Sequence, residues 1–296
     1  MARCLGLVGL VLLLAACSGS VATPVSAGLS LRFYGNGVGD IDRVKIRIDE
    51  PADALPGPPI DVGANDFTIE FWMRALASEN QAGAVACGAS NSWIRGNIII
   101  DRDRFNQDRA YGISIAGGLM LYGIDGEATG SRTVCSATNV LDGVWHHIAV
   151  QRRRTDGRMW LFVDGVMEAL EDGPSGDVSY PDDGIPGNFC GGPCDNSDPF
   201  IVLGAEKHDA GPAYPSYSGW LDELRFSNVL RYAGNFTPPT APFVNDAATV
   251  GLFHFEEGAG GVVLDGSFAA GGPSDGDVML GGTPAGPLWS TLTPFD

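Results

Sequence analysis

The chain of 296 residues carries 36 acidic against 18 basic side chains, a net charge of −18 with histidine neutral. Such a field repels nucleic acid, and the basic run Arg152-Arg153-Arg154 falls at a strand end beside a turn, where charges are solvated. Glycine supplies 42 residues, about twice the ordinary ~7%, with no long helical period, which excludes a helical bundle and leaves an all-β chain of short strands.

At the N-terminus, Arg3 precedes an apolar run, Leu5 to Ala16, too short to span a bilayer and matched to the core of a signal peptide. The run ends in Leu14-Ala15-Ala16-Cys17, which resembles a bacterial lipobox. That resemblance implies removal of residues 1–16, lipidation of Cys17 and export to a membrane-anchored place in the cell envelope. Ser18 in the next place implies the bacterial outer membrane, and loss of Arg3 with the leader takes the charge from −18 to −19. Residues 17–28 read as a lipidated Cys and short tether. Residues 29–296 read as one domain, since β-sandwiches commonly reach ~250 residues.

Within that domain Leu31-Arg32-Phe33 starts the first strand, and Phe67, Ile69, Phe71 and Met73 alternate as the apolar face of a second. Asn97-Ile98-Ile99-Ile100-Asp101 is a short apolar run suited to a buried strand. Tyr111 to Ile115 turns at Gly117-Gly118 into Leu119 to Tyr122, a two-residue hairpin connection. From Asp142 a strand sets His146, Ile148 and Val150 on one face and His147, Ala149 and Gln151 on the other. Asp156-Gly157 is predicted to close it as a type I′ turn, and a second strand, Met159 to Val163, ends at another Asp-Gly, Asp164-Gly165. Val250 to Phe255 and Asp277 to Leu280 supply closing strands, while 173–199 and 258–287 read as long surface loops.

The segment Asp142 to Val166 resembles the W-H-x-v-A-V…L-y-v-D-G core of laminin-G-like, concanavalin A-like jelly-roll domains. Asp66-Phe-Thr-Ile-Glu-Phe-Trp-Met-Arg74 resembles the family's early F-T-I-E-x-W strand. Gly219-Trp-Leu-Asp-Glu-Leu-Arg-Phe226 resembles its late G-x-I-D-E-V-R-I strand, and Leu252 to Gly258 its L-w-h-F-d-E-G element. The resemblance covers Leu29 to Phe295 and implies a sandwich of two antiparallel sheets. It also implies extracellular recognition, and a calcium ion near a sheet edge, for which Asn36, Asp40 and Asp42 offer oxygen ligands that Asp222 of the late strand could join. Some relatives are glucanases with an E-x-D-x-E strand that puts three carboxylates on one face. No Glu here is followed two places later by Asp, and Asp222 and Glu223, adjacent on a strand, are expected to face opposite sides. No H-E-x-x-H or G-x-S-x-G pattern occurs either, so no catalytic residues are assigned.

Binding is therefore expected, with a glycan or an envelope or extracellular protein as partner. Asp101, Asp103 and Arg104, with Arg109 close behind, place both charge signs beside a strand end, which suits sugar hydroxyls or a carboxylated glycan. Glu206 and His208 form a second polar cluster, followed by Tyr214, Tyr217 and Trp220, whose rings suit stacking on sugar faces. Four cysteines remain after the leader and Cys17, and they allow three connectivities, of which Cys190–Cys194 with Cys87–Cys135 is favoured. A four-cysteine zinc site is the rival, but two short paired knuckles are not present.

Overall fold

The computed structural model describes residues 28–50, 53–107, 109–126, 130–184 and 198–296. The leader, Cys17, Cys190 and Cys194 lie outside these residues.

Alternating sequences pair into two eight-stranded antiparallel sheets. In the first, the order is β10 (Val166–Asp172), β9 (Arg158–Val163), β8 (Asp142–Arg152), β3 (Phe67–Leu76), β12 (Ser218–Ser227), β1 (Ser30–Tyr34) and β16 (Leu288–Ser290), with β13 (Thr249–Phe253) also on β12. In the second it is β14 (Val262–Val263), β15 (Gly276–Met279), β2 (Arg43–Arg47), β11 (Phe200–Leu203), β4 (Asn97–Arg102), β5 (Ala110–Ala116), β6 (Leu119–Gly126) and β7 (Gly130–Asn139). The early strand β3 lies between β8 and β12, both far along the chain, so crossovers rather than a simple meander build this sheet. This is the all-β, concanavalin A-like jelly-roll sandwich that the motifs imply.

The core fills the space between the sheets. Phe67, Ile69, Phe71 and Met73 of β3 meet Ile148 and Val150 of β8, Tyr111, Ile113 and Ile115 of β5, and Leu221 of β12 in one buried cluster. Each such side chain contributes about 1.5–3 kcal/mol by leaving water. The reading of 258–287 as loop was incomplete, since β14 falls inside it besides the expected strand, found as β15.

Two local expectations are corrected. Of the two Asp-Gly turns, the one with positive φ at both positions is Asp164-Gly165, at 50° and 75°, not Asp156-Gly157, where only Gly157 is positive at 72°. Arg153 N donates to Arg158 O and Gly157 N to Arg153 O, so β8 and β9 join through a wider loop that keeps β8 in register with β3. In β12, alternation breaks at Glu223 (φ 51°), where the register slips between Asp222 and Arg225. That bulge lets β12 exchange neighbours, with Leu31 opposite Leu221 before it and Leu252 opposite Arg225 after it.

Candidate functional site

The only helical element among the described residues is a 3-10 turn, Ser92–Arg95, lying over the outer face of the second sheet. Its Trp93 is buried against Ile98, Ala116 and Leu121, apart from the main core. The indole fits because Gly112 of β5 and Gly123 of β6 are directly paired beneath it, and a Cβ at either would overlap the ring. Gly88 pairs with Thr133 of β7, and the Cys87–Cys135 disulfide ties the same loop to that strand. Closing a loop of 48 residues contributes roughly 3–4 kcal/mol. Of the favoured pairings, this one is formed.

Beside Trp93 lies a cleft of about 180 Å³. The loop after β4 lines it with Asp103, Arg104, Phe105, Asn106 and Gln107, and the loop between β11 and β12 with Glu206, Asp209 and Tyr214. Asn91, Arg95 and Asp125 complete the polar rim. Two sequence clusters about 100 residues apart thus share one cleft because β4 and β11 are neighbours, with Val202 opposite Asp101. Asp101 is buried beneath and shapes both loops, its carboxylate accepting from Asp103 N and Lys207 N, each at 2.9 Å. Burial pushes its carboxyl up, with Asp103 and Glu206 adding to the rise.

His208 sits behind the rim among carboxylates. Its Nδ1 is 3.0 Å from Asp103 Oδ1 and 3.4 Å from Glu206 Oε1, and its Nε2 is 3.3 Å from Asp198 Oδ1. Burial opposes a charge on the ring, but these carboxylates outweigh it and carry the imidazole up to about 11. Asp198 is also buried, yet His208 and Lys207 hold its carboxyl well below the usual range. The Lys207 ammonium donates to the carbonyls of Asp198 (2.7 Å) and Phe200 (3.1 Å). Neither ring nitrogen of His208 makes a well-directed hydrogen bond, nor do Asp103 Oδ1 and Asp198 Oδ1.

Asp103, Glu206 and His208 each bring one ligand atom within 4.8 Å of the others and could hold a metal ion. Two carboxylates with an imidazole suit zinc or manganese better than calcium, which favours an all-oxygen shell. Asn36, Asp40, Asp42 and Asp222, expected as a calcium set, are engaged separately. Asp40 pairs with Arg43 (3.3 Å) and Lys45 (3.1 Å), Asp42 accepts from Tyr34 N and Asn36 N, and Asn36 Nδ2 donates to Pro284 O. Asp222 accepts from Glu223 N, and these acids do not gather around one point among the described residues.

Of the ligand residues expected from sequence, Asp103, Arg104 and Glu206 line the cleft and His208 backs it. Arg109 does not line it and acts on Asp177. Tyr217 belongs to the core, with its ring 6.1 Å from Phe33, and offers no stacking face. Trp220 belongs to the other sheet, its Nε1 donating to Ser290 Oγ at 3.0 Å. The aromatic wall is Phe105, Trp93 and Tyr214 instead. Sequence reasoning missed Trp93 and Phe105, and the available signal was the matched glycines of neighbouring strands, which mark a large ring overhead.

Residues 52–184 match the family model Laminin_G_3, of the concanavalin A-like lectin/glucanases superfamily. Among solved structures, the chain is similar to a protein from Bacteroides ovatus described as carbohydrate-binding, at 14% identity and TM-score 0.48 over 86% of this chain and 58% of that one. A heptameric SAP-like pentraxin from Limulus polyphemus is similar at 13% identity and TM-score 0.43, over 70% of this chain and 78% of that one. Domains LG4-5 of the mouse laminin alpha1 chain are similar at 12% identity and TM-score 0.41, over 69% and 42%. These likenesses concern the fold alone, and the chain spans 58% of the length of the Bacteroides protein. No curated protein matches the chain.

Proposed function

We propose that this chain, a laminin-G-like jelly roll over the residues that match that family, is a non-catalytic module that binds carbohydrate in the Trp93–Asp103–Tyr214 cleft. The observation that carries the reading is the convergence of two polar loops on an aromatic wall. Carboxylates, amides and two guanidiniums surround Phe105 and Tyr214, which is the arrangement that holds a sugar by its hydroxyls and its apolar face. A divalent ion held by Asp103, Glu206 and His208 would fix the loops and offer a Lewis-acidic point to hydroxyl oxygens. Calcium is the weaker candidate on donor chemistry. An anchor through Cys17 would set the module on the cell envelope, a reading that rests on the Leu14-Ala15-Ala16-Cys17 string.

The test is a glycan and polysaccharide array probed with the full chain in zinc, manganese, calcium and chelator. Saturable binding that falls at least tenfold in Tyr214→Ala supports the reading. Binding by folded protein that Tyr214→Ala leaves intact places the sugar elsewhere, and absence of binding throughout removes the reading. Loss of metal uptake in Glu206→Gln separates the ion from the sugar.

A further inference from the structure

The outer face of the first sheet carries a row of side chains that neither the core nor the cleft uses. Register places Trp145 of β8 opposite Arg74 of β3, Arg74 opposite Trp220 of β12, and Trp220 opposite Arg32 of β1. Indole and guanidinium therefore alternate across four adjacent strands, directly opposed residues lying ~4.5–5.5 Å apart at Cβ. The Arg32 guanidinium lies 4.1 Å from the centre of the Trp220 ring and that of Arg74 5.4 Å from it. Underneath, the Tyr217 hydroxyl sits 3.1 Å from Arg74 O and 3.0 Å from Trp220 O, so the core pins the two strands that present the row.

The two cations differ in what they have left to offer. Arg32 is buried and committed, with Glu79 at 2.7 Å, Ser218 Oγ at 3.2 Å and the Phe33 carbonyl. Arg74 is half-buried, its Nε lacks an acceptor, and among the described residues no carboxylate pairs with it. A guanidinium flanked by two half-buried indoles and left without an acid keeps hydrogen-bond donors for an incoming carboxylate.

We propose that Trp145, Arg74 and Trp220 form a second ligand surface, which takes a carboxylate-bearing sugar within an acidic glycan. The planar guanidinium matches a carboxylate through two parallel hydrogen bonds. The indoles on either side, about two strand spacings or ~9.6 Å apart, offer flat faces to neighbouring sugar rings. The surface lies on the opposite sheet from the cleft, so it stands or falls separately from it.

The experiment is calorimetric titration of the full chain with oligogalacturonate and oligoglucuronate, and with their methyl esters, which keep the rings and lose the charge. Binding to at least one acid oligomer is expected, at least tenfold weaker for its ester. Arg74→Gln and Trp145→Ala should each lower it at least tenfold with circular dichroism unchanged, while Tyr214→Ala leaves it intact. Equal binding of acid and ester, parent-like binding by folded Arg74→Gln and Trp145→Ala, or no binding of either acid oligomer by folded parent would overturn the proposal. Loss of binding in Tyr214→Ala alone would return the acid glycan to the cleft and overturn it equally.

Discussion

His147 and His208 both meet carboxylates with their rings buried, and their surroundings part a structural cluster from a binding one. His147 faces Glu70 at 3.3 Å, and the same carboxylate accepts from Arg225 at 2.7 and 2.9 Å and from the Tyr232 hydroxyl at 2.5 Å. Phe236 and Phe243 close over the His147 ring edge-on, at 5.6 and 5.9 Å. Here one acid is matched by two arginines, with Arg231 Nε at 3.6 Å, and the cluster is sealed. Burial opposes the Glu70 charge, but His147 and Arg225 hold its carboxyl below the ordinary value. Around His208 the proportions reverse, because three carboxylates face one imidazole and the cluster opens onto a cleft. A charge balance completed inside the fold supports packing, whereas an acid excess beside a cavity is available to a ligand.

The sharpest way to break that contrast is Glu70→Ala. It strands the buried guanidinium of Arg225, whose carboxylate partner is Glu70, and a loss of about 3–5 kcal/mol in urea unfolding is expected, with glycan binding unchanged wherever the chain stays folded. A loss below 1 kcal/mol would mean that the sealed cluster is not holding the sheet face. Next in size is Gly123→Ala, whose new methyl meets the Trp93 ring. Overpacking of this kind costs about 1–3 kcal/mol, and because Trp93 lines the cleft, weaker glycan binding should accompany it.

Asp222 gives a pH test away from the cleft. Burial, then Glu223, pushes its carboxyl from 3.8 up to about 9. A raised folded value means that the group favours the fold at low pH and withdraws that support as pH climbs towards about 9. Asp222→Asn should therefore unfold at higher temperature than the parent at about pH 8 and match it near pH 4. Equal melting temperatures across that range would show that the carboxyl titrates normally. The smallest expected stability effect is that of Tyr214→Ala, within about 0.5 kcal/mol, against its tenfold effect on binding.

Much of the fold was legible because alternation and turn chemistry are local. β3, β5, β6 and β8 follow from period-two patterns, and Gly117-Gly118 turns with both φ positive, at 58° and 85°. The bulge at Glu223 was not legible, since it answers to a change of neighbour strand that no local pattern records. The site was half legible for the same reason. Asp103, Arg104, Glu206 and His208 stand out as polar clusters, but only the pairing of β4 with β11 makes them one place. Tyr217 and Trp220 read alike as aromatics near a loop, yet alternation sends one into the core and the other onto the outer face of the first sheet, away from the cleft.

Whether a sugar occupies the Trp93–Tyr214 cleft is decided by a crystal structure of the chain with its best array glycan. A sugar ring against Tyr214 is expected, with hydroxyls on Asp103 and Glu206. A glycan seated instead at the Asn36–Asp42 rim, with the cleft empty, would contradict it.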